Sequence, residues 1–166
     1  KLNYMAFRDG LTGLYNRMGY QKLSISYFTI MREKKMPVLV MFIDLDRLKY
    51  INDTFGHEYG DFAIVSIAKA MLKHCDADAI AARTGGDEFI VLEGAKDEES
   101  GRVLAQKIRT ELSKTQRAMQ LPFDLSASIG AVVAHPGEEN VLESYVKRAE
   151  MLMYEEKAEK KVSRDS

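Results

Sequence analysis

Two acidic clusters carry the chemistry that this chain could perform. The first is Asp87-Glu88, set directly after Gly85-Gly86 and before Phe89. Ala79-Ile80-Ala81-Ala82-Arg83 and Phe89-Ile90-Val91-Leu92 can each form a strand, so the two glycines between them predict a hairpin in which glycine supplies the positive φ of a tight turn. Glycine also lets a ligand approach the backbone at Gly85 and Gly86 without meeting a Cβ. Acids at such a tip could hold hard cations. Strand alternation would send Asp87 and Glu88 to opposite faces and so to different tasks. Taken alone, the pentapeptide reads equally well as an ordinary hairpin with solvated acids.

The second cluster, Asp44-Leu45-Asp46, ends the apolar run Val38-Leu39-Val40-Met41-Phe42-Ile43, which reads as a strand buried on both faces. Asp46 is placed to cap a short helix over residues 47–55, closed by Gly56. The backbone N–H groups at its start, around Asp46, Arg47 and Leu48, would favour phosphate. A carboxylate able to bind a metal, beside N–H groups able to bind phosphate, suits a metal–nucleotide site. The simpler reading makes Asp46 only a cap and Asp44 only a turn residue. A calcium EF-hand is excluded, because Leu48 and Lys49 stand where oxygen ligands and glycine are required.

These clusters need a scaffold, and the composition supplies one. A chain of 166 residues with 46% apolar content is long enough for one domain; a domain of that size buries roughly 70% of its extended-chain surface. The 24 Lys and Arg balance 25 Asp and Glu, so no global field draws the protein to nucleic acid or to a membrane. The single cysteine, Cys75, excludes an internal disulfide and a cysteine-rich zinc site, and reads as a small apolar residue near a helix end. No apolar run approaches the ~18 residues of a membrane span, and no signal peptide opens the chain. A cytoplasmic location is expected, with a membrane anchor elsewhere in the parent protein left open.

Asn16 can cap a helix over residues 17–34 with Leu23, Tyr27, Ile30 and Met31 on one face. Helical spacing recurs over 58–73 (Ile64, Ile67, Ala68, Met71, Leu72), over 97–117 (Leu104, Ile108, Leu112) and over 141–161 (Leu142, Val146, Ala149, Met153). Strict alternation of Phe123, Leu125, Ala127, Ile129, Ala131 and Val133 marks a long strand. The order is helix, β-α-α-β-β-α-β, helix. That predicts an α+β fold: a ferredoxin-like βαββαβ core with a mixed, largely antiparallel sheet and added helices. Right-handed crossovers place the first strand beside the hairpin, bringing Asp44 and Asp87 to one sheet edge. Many unrelated activities use this architecture.

With these residues in view, the chain resembles the GGDEF domain of bacterial diguanylate cyclases over almost its whole length. The resemblance rests on four ordered motifs: DGLTGLYNR from Asp9, FIDLDRLKYINDTFGHEYGD over residues 42–61, the hairpin from Arg83 to Phe89, and Ser128-Ile129-Gly130. It implies the nucleotidyl-cyclase, palm-like version of the predicted fold. It also implies a single catalytic domain over residues 1–166, excised from a longer signalling protein whose upstream sensor or regulatory domain lies outside the chain. The implied activity condenses two GTP into cyclic di-GMP with release of two pyrophosphates, each 3′-hydroxyl attacking the other nucleotide's α-phosphate across a transient homodimer of half-sites. Asp44, the Leu45 carbonyl and Asp87 are then the ligands of magnesium or manganese, two ions per half-site. Glu88 is either a further metal ligand or the base for the 3′-hydroxyl. Asn52 and Asp61 match the guanine readers, and their chemistry agrees: a carboxylate accepts from N1–H and the exocyclic amine, while an amide donates to guanine's acceptors.

The match weakens at two places. Lys157 lies three residues after Tyr154, as the family's phosphate-binding lysine does, but the Gly-Arg expected at the following turn is Lys160-Lys161. Lys161 would have to replace an arginine with a point charge that has no bidentate fork, or else serve as a solvated basic helix end. The Arg-x-x-Asp product-binding motif of many members is Asp76-Ala77-Asp78-Ala79 here, so that inhibitory site is absent in its usual form. His57, His74 and His135 lack metal-ligand spacing. An active cyclase is the leading reading. The alternatives are a catalytically inactive GTP-binding or interaction module on the same fold and a cyclase making a mixed GMP–AMP product, against which Asp61 argues.

Overall fold

The computed structural model describes residues 5–138 and 141–165. Its elements are α1 (Arg17–Glu33), β1 (Val38–Leu45), α2 (Leu48–Phe55), α3 (His57–His74), β2 (Ile80–Arg83), β3 (Glu88–Gly94), α4 (Ser100–Ala118), β4 (Ala127–Ala134) and α5 (Leu142–Asp165). The four strands form one sheet in the order β2-β3-β1-β4, with every pairing antiparallel. The expected ferredoxin-like core and its element order are therefore present. Among the described residues its one parallel feature is an isolated bridge between Tyr15 and Ala82 on the β2 edge.

All eight residues of β1 are buried, as its unbroken apolar run requires of a strand covered on both faces. Leu39, Met41, Ile43 and Leu45 meet α3 and α4 through Ile64, Ile67, Met71, Leu104, Ile108 and Leu112. Val38, Val40 and Phe42 meet α1 and α5 on the other face through Phe28, Met31, Tyr145, Ala149 and Met153. Period-2 alternation in one strand thus divides the protein into two cores and fixes the register of β1 between β3 and β4.

Several expectations shift. Asn16 does cap α1, its side chain accepting from the Gly19 N–H at 2.8 Å. The buried face of α1, however, is Gly19, Ser24, Phe28 and Met31; Leu23 and Tyr27 flank it, and Ile30 faces solvent. Leu72 of α3 is likewise exposed, because Ala63, Ile64, Ile67 and Met71 already complete the stripe. In α5 Leu142, Ala149 and Met153 face inward as expected, joined by Tyr145, with Val146 at the margin.

The alternation from Phe123 also fails to make one long strand, since β4 begins only at Ala127. The Leu125 N–H is taken by the Gln116 side chain at 2.9 Å, and Phe123 joins Phe55 and Tyr59 in a ring cluster with centroids 5.5 and 5.8 Å from its own. That cluster anchors α2 and the start of α3 at the end of the sheet. No helix among the described residues is long and apolar enough to cross a membrane.

Gly130 of β4 lies where α5 crosses the sheet. A Cβ there would strike the Ala149 carbonyl oxygen and come within 2.5 Å of the Met153 nitrogen, both backbone atoms of α5 that cannot swing aside. Gly130→Ala should therefore lower stability by about 1–3 kcal/mol, measured as a fall in the urea midpoint. An unchanged midpoint would mean that α5 is not seated on β4 as described.

Candidate active site

β1 delivers Asp44 to the end of the sheet, directly opposite Glu88 on β3 and Ser128 on β4. The Leu45 N–H donates to the Asp87 carbonyl at 2.9 Å, fastening the hairpin tip to the strand end. Asp44, Asp87 and Glu88 each contribute a carboxylate oxygen to a cluster whose atoms lie within 4.8 Å of one another. Asp87 and Glu88 thus share one site instead of dividing between faces. The reason is local: β3 begins at Glu88, so Asp87 belongs to the turn, where pleat alternation does not operate.

The hairpin link is also longer than two residues, running over 84–87, and neither Gly85 nor Gly86 has a positive φ. A hydrogen bond from the Thr84 N–H to the Glu88 carbonyl closes the loop at 3.0 Å. The Arg83 guanidinium donates to the Gly86 carbonyl through Nε at 3.1 Å and Nη2 at 2.9 Å. Arg83 is itself held by Asp9 at 3.2 Å, and Asp9 accepts from the Thr12 N–H and hydroxyl. The glycines serve space instead. A Cβ on Gly85 would crowd the Glu88 carboxylate at 3.0 Å, whereas one on Gly86 would meet nothing within 4 Å among the described residues, leaving that face open to a ligand.

Like charges set directly opposite across a strand pair repel, so three carboxylates at this spacing call for a cation. Their hard oxygen donors suit magnesium or manganese, and Asp44, Asp87 and Glu88 are the residues that could hold one. Lys157 of α5 answers part of the charge, its Nζ lying 2.7 Å from Asp44 Oδ1. Burial and, after it, the repulsion of Asp87 outweigh that ammonium and raise the Asp44 pKa to about 6. Glu88 is raised too, by partial burial first and by Asp87 and Glu150 next.

Asp46 behaves differently, and not as a helix cap. Its N–H pairs with the Ser126 carbonyl at 2.9 Å, just beyond the ends of β1 and β4. Its carboxylate is buried, accepting from Ser126 and Ser128 hydroxyls at 2.7 Å and from Lys160 Nζ at 2.7 Å. Burial opposes its ionisation, but these donors prevail and hold Asp46 below the usual carboxylate range. The turn into α2 is made by Arg47, in the left-handed region at φ 59°, with its guanidinium over the Tyr50 ring at 4.0 Å. Among the described residues no side chain caps α2, so the N–H groups beginning at Leu48 stay available to an anion.

Asn52 of α2 lies against Gly60 of α3, and Asp61 is the next residue along α3. A Cβ on Gly60 would overlap the Asn52 amide, reaching 2.9 Å from its Cγ, so a glycine at 60 is what lets Asn52 sit there. Among the described residues neither the Asn52 nor the Asp61 side chain has a hydrogen-bond partner, and Asp61 is exposed. Two cavities flank Asp46. One, of about 550 Å³, is lined by Arg47, Tyr50, Phe123, Lys160 and Arg164 among others; a smaller one of about 260 Å³ adds Tyr154, Lys157 and Lys161.

Sequence reasoning missed Lys160, Glu156 and the Asp9–Arg83 pair as site-building residues. Glu156 accepts from the Ile129 N–H at 2.6 Å and from Arg109, while Lys160 also donates to the Ala127 carbonyl at 2.7 Å. Their signal was present as the spacing Met153, Glu156, Lys157, Lys160 along one helix face. It could not be used without knowing that this face meets the β4 edge.

The sequence matches the family described as "Diguanylate cyclase, GGDEF domain" over residues 6–163. Diguanylate cyclase VdcA of Vibrio cholerae serotype O1 is 34% identical over 161 residues, covering 95% of this chain and 46% of that protein. Probable diguanylate cyclase DgcC of Escherichia coli K12 is 29% identical over 157 residues, covering 95% of this chain and 42% of that protein. The chain therefore spans less than half the length of these relatives. Among solved structures, the GGDEF domain of DgcB from Caulobacter crescentus in complex with c-di-GMP superposes with a TM-score of 0.75 at 26% identity, over 92% of this chain and 91% of that one.

The raised Asp44 pKa fixes the sign of a stability effect. Asp44 holds its proton more tightly folded (about 6) than unfolded (near 3.8), so its ionisation penalises the fold fully above pH 6 and not below about pH 4. In metal-free buffer at pH 8, Asp44→Asn should be more stable than the parent by on the order of 1–2 kcal/mol, discounted for screening. The gap should close as the pH falls to 4, and magnesium should raise the melting temperature of the parent alone. Calorimetric melting at pH 8, 6 and 4 tests this. A parent more stable than the variant at pH 8 without metal would contradict it.

Proposed function

The chain belongs to the GGDEF domain family over residues 6–163, and on that premise we propose that it condenses two GTP into cyclic di-GMP, releasing two pyrophosphates. The observation that carries this reading is the convergence of the Asp44, Asp87 and Glu88 carboxylates within 4.8 Å, beside Lys157 and the uncapped start of α2. The reaction needs a 3′-hydroxyl oxygen to attack an α-phosphate, lose its proton, and displace pyrophosphate. Glu88, whose pKa is raised, is the group suited to take that proton. Lys157 and the α2 N–H groups, from Leu48 onward, take phosphate oxygens, with Gly86 leaving room for the chain of phosphates. Asn52 and Asp61 present an amide and a carboxylate to the guanine edge, both without partners of their own.

Magnesium or manganese held by Asp44, the Leu45 carbonyl and Asp87 would supply Lewis acidity to the attacking oxygen and neutralise charge on the leaving pyrophosphate. Lys157 would then exchange Asp44 for phosphate. Each chain carries one such set of residues, whereas the product contains two nucleotides joined by two bonds. Two copies must face each other with two-fold symmetry so that both 3′-hydroxyls meet α-phosphates. We place this activity in the cytoplasm, under the control of segments outside the chain.

Incubation with GTP and magnesium, with nucleotides identified by mass spectrometry, should yield cyclic di-GMP. Specific activity should rise with protein concentration, since the reactive species is a pair. Asp87→Ala should abolish turnover while leaving the fold intact, because a turn acid contributes little to the core. Full activity in folded Asp87→Ala would remove the assignment of the acid cluster. GTP binding with no product from the parent would identify a binding module instead.

The surface at Asp76–Ala79 should not retain the product. Asp76 and Asp78 are exposed beside buried Glu93, which accepts from the Asp76 N–H at 2.9 Å and whose pKa is raised by burial and then by these two acids. An anionic dinucleotide meets repulsion there and finds no guanidinium at position 76. Calorimetry of cyclic di-GMP with Asp87→Ala protein should reveal no tight site that is lost on changing Asp76; such a site would contradict this account.

A further inference from the structure

We propose that Arg164 grips the outer phosphates of the bound nucleotide, in place of the arginine that the family pattern puts at position 161. This inference rests on the reading of the site as a GTP site. In the family pattern a glycine at position 160 would end the last helix, and the arginine would follow at the turn. Lysine is a far better helix former than glycine, by about 1 kcal/mol, and α5 continues without a break to Asp165.

That continuation redistributes the charges. Lys160 is turned to the sheet end and committed there, to Asp46 at 2.7 Å and to the Ala127 carbonyl at 2.7 Å. The additional turn brings Arg164 onto the stripe that already carries Lys157 and Lys160, spaced by three and four residues. Arg164 and Arg47 line both cavities beside Asp46, and in the smaller one they meet Lys157 and Lys161. Five cations and one carboxylate line that smaller cavity, a strongly anion-seeking composition.

The five are not equivalent. Lys157 and Lys160 are paired with Asp44 and Asp46. Arg47 lies over Tyr50. Among the described residues, Lys161 and Arg164 have no carboxylate in ion-pair range. Of those two, only the guanidinium can take two phosphate oxygens at once in a planar fork. Lys161 supplies background charge, and Arg164 supplies the directional contact. The specific job of the missing arginine thus passes to a residue one helical turn further along.

The test uses 3′-deoxy-GTP, which lacks the attacking hydroxyl and cannot turn over, and GMP, which lacks the outer phosphates. Both are titrated with magnesium into the parent, Arg164→Ala, Arg164→Lys and Lys161→Ala by calorimetry. Arg164→Ala should weaken 3′-deoxy-GTP roughly ten- to a hundredfold, as loss of a charge-assisted pair of hydrogen bonds does. GMP affinity should change less than about twofold, since it has no outer phosphates to lose contact with. Arg164→Lys should recover only part of the loss, and Lys161→Ala should cost less than about threefold, the effect of a screened point charge. Parent-like binding by Arg164→Ala overturns the inference while leaving the GTP site standing. So does equal weakening of both nucleotides, which would mark a general loosening of α5, or a loss carried by Lys161→Ala. Failure of the parent itself to bind 3′-deoxy-GTP overturns the GTP reading and this inference with it.

Discussion

Two carboxylates buried at the end of the central strand, Asp44 and Asp46, set the terms for everything around them. An unpaired charge taken out of water costs several kcal/mol, and β1 brings two such charges into the protein side by side. Helix α5 answers with one lysine for each, Lys157 and Lys160, on the same helix face. The outcomes differ because the remaining neighbours differ. Asp46 gains two serine hydroxyls beside its lysine, and together they outweigh burial and hold its pKa below the usual carboxylate range. Asp44 faces Asp87 and Glu88, and its pKa climbs to about 6. One carboxylate has three donors that favour its charge; the other has a single ammonium set against two neighbouring carboxylates.

The same helix closes the sheet. β4 is an edge strand, and an open edge invites pairing with other chains. Glu156 takes the Ile129 N–H and Lys160 the Ala127 carbonyl, so outward backbone groups of β4 are satisfied by α5 side chains. On the opposite edge, Tyr15 donates its N–H to the Ala81 carbonyl and accepts from the Arg83 N–H. That contact positions the opening segment, whose Asp9 holds Arg83 and, through it, the hairpin tip. Edge protection and site construction are therefore done by interleaved residues, and a substitution at Lys160 touches both.

What could be read from the sequence was what local rules determine. The β1 run, the Asn16 cap, the Gly56 stop and the element order follow from periodicity and capping within a few residues of each position. Asp46 was misread because its partners, Ser126, Ser128 and Lys160, lie 80 or more residues away, and a cap was the only local use for it. The hairpin was misread because the Gly85-Gly86 pair alone suggests a two-residue turn, whereas the link runs from Thr84 to Asp87 and is closed by Arg83 and Thr84. Phe123 kept an alternating pattern while serving an aromatic cluster, since periodicity records burial and not the partner. The acid cluster itself was foreseeable once right-handed crossovers put β1 beside β3.

Lys157 has one ammonium and, in the proposed reaction, two claims upon it. At 2.7 Å from Asp44 it offsets part of a buried charge; gripping a phosphate, it cannot do so. Nucleotide arriving alone would draw Lys157 away and leave Asp44 facing two like charges in a poorly solvated place. Cation arriving alone would free Lys157 with nothing to hold. Each ligand therefore removes a cost that the other would otherwise meet, and the coupling must be reciprocal because it is a difference in free energy between the same four states. On the proposed reading, such a site would favour the metal–nucleotide complex over either component, and it would do so through Lys157 on the helix that crosses β4 at Gly130.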